Sequence, residues 1–421
     1  MVAWRAPRSS NGAEVVASVD IGASKSACLI ARIYPSRGAP AFEIAGAGVH
    51  GADISGRHCG ESREIGLRSA LDAAERMAGE HVRSVYASIG GRHLHCRRIA
   101  VDLDLDGGRV AVEDVEECMK LGAKAASADG YVALDAGPVS FLVDGDNVGR
   151  EPAGLAGAQL TADILGVSAR ESALVNLETL LGRCGLALED AIAAPAAAGQ
   201  AVLLDDEKEL GVAVIDIGAN AADFAVYERG ALAFCGGVAV GGDHITRDLA
   251  RIFGAPLAAA ERIKTLYGAT LVSAGDEHKL VDVRQLGADG EVARVSRAEI
   301  SQVVTPRLDE IFELTRDRMP ARGLQGLRRV VLTGGGSLMT GARETAERVL
   351  GMKARLGRPA TLAGAPDAAT GPQFSVCAGL IELAARRRSQ RSARAAAFRT
   401  AAAKTAGGVA GTVGRWLKEN F

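Results

Sequence analysis

Two aspartates 196 positions apart open the same four-residue pattern, Asp20-Ile21-Gly22-Ala23 and Asp216-Ile217-Gly218-Ala219. Residues 16–26 read VASVDIGASKS and residues 211–230 read GVAVIDIGANAADFAVYERG, so an apolar run precedes each acid and a β-rich run follows each glycine. A turn between two such strands aligns backbone N–H groups that can surround a phosphate. An aspartate two residues before the turn glycine can hold a hydrated Mg²⁺. A third loop, VVLTGGGS at 330–337, carries an apolar strand into Gly334, Gly335 and Gly336. Glycines there permit positive φ and let a ligand approach the backbone. One such hairpin alone reads equally well as a plain β-turn with a surface aspartate, but the triple is much more specific.

The elements that must position these loops are written in hydrophobic spacing. Val212, Val214, Ile215 and Ile217, bounded by Gly211 and Gly218, predict a buried strand, with Phe224, Val226 and Tyr227 in its hairpin partner. After the first hairpin the pattern predicts a strand over 42–49, a helix over 61–79 carrying Leu67, Ala70, Leu71, Ala74 and Met77 on one face, and a strand over 82–89. His93, His95 and Cys96 in GGRHLHCRR read as alternation in a strand and not as a metal cluster, since no matching ligand pair follows. Residues 83–168 change character: short strands (99–105, 140–143, 159–165) surround one helix, 112–126, with Val115, Cys118, Met119 and Gly122 on a shared face. That is a small α+β insertion suited to protein contacts. Helices follow over 171–184 and 241–254, the latter with Asp243 or Thr246 as N-cap and His244 in a structural role. The next carries Glu261 and Lys264 and ends at Tyr267-Gly268. Residues 270–295 read as strand-poor, 296–319 as helix, 353–372 as loop and 374–385 as a small-residue helix able to pack between two halves of the protein.

A chain of 421 residues predicts two to four compact units. Its 48% hydrophobic but only 4% aromatic content suits helices packed closely on sheets. Seven cysteines without a C-x-x-C pair predict reduced, mostly buried thiols in a cytoplasmic protein. No apolar stretch reaches the ~18 residues of a membrane span, and the first 13 residues, lacking an apolar signal segment, read as a flexible lead-in. The net charge of −2 hides an asymmetry: residues 386–421 carry a net +8, leaving −10 on residues 1–385. A basic tail on an acidic body predicts an anionic partner. Residues 386–408 read as a basic linker. In the last 13 residues Val409, Val413, Trp416, Leu417 and Phe421 share one helical face, flanked by Lys404, Arg415 and Lys418. This is the pattern of a short in-plane membrane anchor. Nucleic acid is disfavoured because the basic stretch lacks interleaved aromatics for stacking.

The paired hairpins and the late Gly-Gly-Gly turn resemble the actin/Hsp70/sugar-kinase ATPase superfamily. From Val16 to Phe421 the chain resembles the FtsA family of bacterial cell-division proteins, most specifically in VDIGASKSACLIARI, VYASIGGRHLHC, EPAGLAGAQLTADIL, DEKELGVAVIDIG, GGDHITRDLARIFG, AERIKTLYG, VVLTGGGSLMTG and the terminal RWLKENF. The resemblance implies an α/β fold of duplicated, actin/Hsp70-like ribonuclease-H-type domains with an inserted α+β subdomain and a C-terminal amphipathic helix. The first domain would comprise 14–82 and 169–208, the insertion 83–168, and the second domain 209–385, with a small nucleotide-covering subdomain at about 250–320.

The resemblance also implies ATP and Mg²⁺ as cofactors. Asp20, Gly22, Ala23, Ser24 and Lys25 would form the first phosphate loop, and Asp216, Gly218, Ala219 and Asn220 the second. Gly242, Glu261 and Lys264 would flank the nucleotide. Gly334, Gly335, Gly336 and Ser337 would form the adenosine loop, and Asp20 and Asp216 would hold Mg²⁺ through water. Val413, Arg415, Trp416, Leu417, Lys418 and Phe421 would engage anionic inner-membrane lipids. The implied partners are the C-terminal peptide of the tubulin-like FtsZ, further copies in a polymer, and later division proteins, at the cytoplasmic face of the inner membrane at the division site. Two departures bear on hydrolysis. Ala219, Asn220 and Ala221 replace the family's Gly-Gly-Thr, with Asp223 retained. Ala194 stands where chaperone-like relatives carry the acid that positions water. ATP binding with slow turnover is therefore the expectation. The alternatives are a scaffold of pilus or secretion assembly and an ATPase or kinase of the same superfamily.

Overall fold

The computed structural model describes residues 13–388 apart from 35–40, 55–59, 107, 127, 288–290, 321–325 and 361. The expected lead-in up to residue 12, the expected linker beyond residue 388 and the expected tail helix lie outside the described residues.

Each Asp-Ile-Gly turn closes a hairpin whose first strand is central in a five-stranded sheet. In the first lobe β1 (Glu14–Ile21), β2 (Lys25–Tyr34) and β3 (Ala41–Gly51) form an antiparallel meander. On the other side of β1 run β4 (Ser84–Ile89) and β9 (Ala187–Ala193), both parallel, giving the order β3-β2-β1-β4-β9. The second lobe repeats the plan. Its meander is β10 (Val212–Ile217), β11 (Ala222–Glu228) and β12 (Ala231–Val238), and its parallel strands are β15 (Arg329–Thr333) and β16 (Lys353–Leu356), in the order β12-β11-β10-β15-β16. Every apolar residue of β10 is buried, as expected for a strand covered on both faces.

Alanine and glycine dominate because helices lie directly on these sheets. Helix α1 (Gly60–Ala78) packs with Leu67, Ala70, Leu71 and Ala74 against the first sheet. Helix α4 (Ala194–Val202) and the helix over 375–388 fill the space between the two lobes. A Cβ on Gly379 would lie 1.8 Å from the Ala197 carbonyl oxygen, so only glycine permits that approach. The small-residue helix therefore does sit between the halves.

The inserted subdomain is a sheet of β5 (Leu94–Asp104), β6 (Tyr131–Val143), β7 (Asp146–Gly149) and β8 (Gln159–Arg170) in the order β5-β8-β6-β7, covered by helix α2 (Val112–Ala125). Cys118 and Gly122 of α2 are buried against it. Its strands are longer than the apolar spacing predicts, since solvent-facing charges interrupt the pattern. The expected start at residue 83 is too early. Residues 84–89 are β4, hydrogen-bonded between β1 and β9, and the inserted sheet begins at Leu94.

Other differences have similar causes. Residues 270–295 are not strand-poor: β13 (Leu280–Arg284) pairs with β14 (Val292–Ser296). In β13 only Val281 and Val283 point inward, so polar neighbours mask the alternation. The expected loop at 353–372 opens with β16, a four-residue edge strand. Helix α6 (Gly242–Ile252) is capped at Gly241, not at Asp243 or Thr246, which are buried in its body; Gly241 N–H instead donates to His244 Nδ1 at 3.2 Å. Helix α7 (Leu257–Tyr267) ends at Gly268 as expected, and α8 (Arg297–Arg318) starts on a Ser296–Glu299 capping box. The basic stretch expected to be linker from residue 386 begins as the last turn of the 375–388 helix. There Arg387 pairs with Asp190 and Asp135, and Arg388 with Glu14 and Glu189.

Candidate nucleotide site

Duplication places the two aspartates face to face. Asp20 lies in the last two residues of β1 and accepts a hydrogen bond from Ser88 Oγ at 2.7 Å. Gly22 N–H donates to the Lys25 carbonyl at 2.9 Å, and Gly218 N–H donates to the Ala221 carbonyl at the same distance, so the two turns are built alike. Ala23, Ser24, Ala219 and Asn220 form the partly exposed tips of those turns. Lys25 Nζ reaches the Gln373 carbonyl and lies 4.8 Å from the centre of the Phe374 ring. Burial lowers the Lys25 pKa from its ordinary value, while Asp20 is the strongest of the charges that resist the shift.

The second hairpin adds an acid that the sequence analysis did not include among the ligands. Asp216 lies directly opposite Asp223 in the β10–β11 register, so the two carboxylates share one face. Burial and then the neighbouring Asp223 and Asp20 push Asp216 up to about 7. Burial also pushes Asp223 up to about 7, against a hydrogen bond from the Gly91 backbone. Asp223 Oδ1 is buried with no hydrogen-bond partner among the described residues. Three carboxylates and one lysine thus converge from both lobes. The signal for Asp223 was its place in the Asp-x-Gly-x-x-x-x-Asp spacing.

The remaining residues close the site from the second lobe. Gly334 has φ +80°, and a Cβ there would lie 2.0 Å from Asp216 Oδ1, so this loop and the aspartate meet without an intervening side chain. Gly335 is exposed and Gly336 packs on Ile217. Ser337 is buried and its hydroxyl donates back to the Gly334 carbonyl at 2.7 Å, which fixes the loop. The first turn of α6 is tied to the second hairpin, with Gly242 N–H on the Gly218 carbonyl at 3.0 Å and Asp243 N–H on the Ala219 carbonyl at 2.8 Å. Lys264 Nζ then joins Gly242 O (3.2 Å), Thr246 Oγ1 (2.9 Å) and Glu261 Oε2 (2.7 Å). Glu261 and Lys264 are therefore linked to each other at the edge of the same site. Ala194 is buried at the start of α4, directly after β9. His93 lies on a short 3₁₀ turn and Cys96 faces Cys235, so these two do not converge on a common ligand position. Among the described residues no three His, Cys, Asp or Glu side chains are grouped to hold a metal ion.

Two lobes of one five-stranded topology, facing each other across paired aspartate hairpins, define an actin-like ATPase fold. Solved structures share that fold. The chain is similar to the PilM-PilN type IV pilus biogenesis complex with a TM-score of 0.60 at 18% identity, covering 88% of this chain and 98% of that one. It is similar to MreB5 of Spiroplasma citri bound to ADP with a TM-score of 0.51 at 12% identity, covering 90% and 98%. The family model for cell division protein FtsA matches residues 213–379, and the model for the SHS2 domain inserted in FtsA matches residues 91–168. The chain is 33% identical to cell division protein FtsA of Agrobacterium fabrum over 99% of this chain and 97% of the relative. It is 30% identical to that of Pseudomonas aeruginosa (87% and 88%) and 29% identical to that of Escherichia coli (87% and 90%). The chain belongs to the FtsA family of cell-division proteins.

Proposed function

We propose that this protein binds ATP with Mg²⁺ between its lobes, turns it over slowly, polymerises, and attaches FtsZ filaments to the cytoplasmic membrane at the division site. The observation that carries the nucleotide half is the convergence of Asp20, Asp216 and Asp223 with Lys25 and the Gly334 loop on one place. Two buried carboxylates raised to about 7, one with an unpartnered oxygen, favour a cation beside them. A hard, all-oxygen donor set of this kind suits Mg²⁺ held through its own water. Bound there, the ion would neutralise phosphate charge. Asp20 and Asp216 would orient its waters, Lys25 would face a terminal phosphate, and the amides of the two turns would cradle the chain of phosphates. Glu261 and Lys264 would lie along the nucleoside. With Ala194 in place of an acid, this chain offers no carboxylate there to orient an attacking water. Turnover should fall far below a typical enzyme median of ~10 s⁻¹.

Family membership supports the division role. In the small subdomain, an open pocket of about 340 Å³ is lined by Leu266, Tyr267, Leu271, Val272, Lys279 and Arg297. Asp276 also lines it and pairs with Lys279 at 2.9 Å, so its apolar side chains and the Arg297 guanidinium are what suit a peptide that is both apolar and acidic, such as the FtsZ C-terminal segment. Among the described residues no helix is long and apolar enough to cross a membrane. Attachment would instead use the last 13 residues. Burying each large side chain there contributes ~1.5–3 kcal/mol and each nearby Lys or Arg roughly 1 kcal/mol at an anionic surface. Ordering a short, glycine-containing helix offsets much of this. One tail would bind reversibly, and a polymer of many tails would bind firmly through avidity. The test is calorimetry with ATP–Mg²⁺, then co-sedimentation with anionic liposomes with and without ATP and an FtsZ C-terminal peptide. Absence of nucleotide binding, or Asp216→Ala behaving like wild type, refutes the site. Absence of lipid-dependent pelleting refutes the tether.

A further inference from the structure

Cys96 lies in β5 at the root of the inserted subdomain and Cys235 in β12 of the second lobe, and their Sγ atoms are 3.2 Å apart. Both are edge strands, so the sulfurs meet where two sheets abut. The junction is close and specific. A Cβ on Gly91 would lie 2.0 Å from the Gly236 carbonyl oxygen, Arg98 faces Glu228 at 3.6 Å, and Arg150 donates to the Gly230 carbonyl at 3.2 Å. Cys235 is buried, whereas Cys96 is only partly buried.

We propose that Cys96 and Cys235 are a peroxide-sensitive thiol pair whose disulfide clamps the inserted subdomain to the second lobe. The thiolate of Cys96 attacks hydrogen peroxide, forming an S–O bond, breaking the O–O bond and releasing hydroxide. The sulfenic acid then meets the Cys235 thiol; an S–S bond forms, the S–O bond breaks, and water leaves. Two thiols lose two electrons in total and one peroxide is reduced to two waters. A small dithiol reverses the step by exchange, leaving as its own disulfide. The pair is chemically matched to these roles. The S···S contact holds Cys96 below the ordinary thiol value, whereas that same contact and burial push Cys235 well up. Burial pushes Cys28, Cys118, Cys184 and Cys377 up as well, which leaves them poor nucleophiles. Closing the contact to a covalent S–S bond of about 2.05 Å requires a movement of only ~1.2 Å. Cytosolic disulfides are typically transient and redox-sensing, which fits a reversible clamp.

The clamp would act near the carboxylate cluster. The Gly90–Gly91 turn that leads into the subdomain packs against Asp223, as does Gly237, two residues beyond Cys235. Fixing β5 on β12 therefore fixes the entry to the subdomain relative to the second hairpin.

The test uses the full-length reduced protein treated with hydrogen peroxide, followed by alkylation of free thiols and digestion without reduction. Mass spectrometry should show the Cys96 and Cys235 peptides joined, in most of the protein, and separated again by dithiothreitol. Hydrogen exchange should be slower over residues 94–98 and 231–238 in the oxidised form. Cys96 ending as sulfinic acid, Cys96 remaining a free thiol, or exchange over both strands unchanged in the linked form would each overturn the proposal. These readouts are independent of nucleotide and lipid.

Discussion

Replacing Asp216 by Asn tests the electrostatics of the site directly. Asp216 is raised from 3.8 to about 7, and its cross-strand partner Asp223 likewise. A buried carboxylate with a raised pKa keeps its proton in the native state at pH values where the unfolded chain has lost it. The native state then binds more protons, so its stability falls as pH rises from about 4 to about 7. A shift of roughly three units corresponds to ~4 kcal/mol at most. Most of that comes from burying the Asp216 charge itself, so removing the charge should return up to the same ~4 kcal/mol above pH 7. In the nucleotide-free protein Asp216→Asn should therefore raise Tm by several degrees at pH 8 and by less than half as much at pH 5, which lies only about one unit into that window. The same variant should lose ATP–Mg²⁺ binding, because the charge that destabilises the empty cleft is the one that attracts the ion. Differential scanning calorimetry of both proteins across pH 5–8 decides the matter. An equal loss of Tm at both pH values would show that Asp216 is an ordinary structural acid, and the reasoning would fail.

Three further outcomes are expected. Gly334→Ala places a methyl 2.0 Å from Asp216 Oδ1 at φ +80°; it should cost about 1–3 kcal/mol of stability and weaken nucleotide binding at least tenfold, read by unfolding and calorimetry. Deleting residues 91–168 while keeping β4 should leave a soluble, nucleotide-binding core that no longer assembles on lipid, and normal filaments in electron micrographs would refute that assignment. Trp416→Glu places a charge on the inserted face of the tail and should move the protein from the membrane fraction to the cytosol with nucleotide binding intact; continued fractionation with the inner membrane would falsify the tether.

The hairpin strands were legible because they are buried on both faces, and continuous apolar runs such as Val212–Ile215 survive in the sequence without tertiary context. Helices α1 and α7 were legible from spacing and a terminal glycine. Strands β13 and β16 were not, because one alternates polar and apolar residues over five positions and the other is four residues long at a sheet edge. Ser337 belongs to a recognisable loop, yet its hydroxyl direction follows from the turn after Gly334, which no local pattern records.

The sequence by itself determined the paired Asp-Ile-Gly turns, which rest on short-range pattern and residue type, and through the motifs around them the family resemblance that implied two lobes. Only the tertiary structure decided that Asp216 confronts Asp223 and Asp20, that Lys25 is drawn to Gln373 and Phe374, and that Cys96 lies against Cys235. Those pairings join residues that are distant along the chain or separated by a strand register. Their energies depend on burial and separation, which arise only when the sheets close on one another.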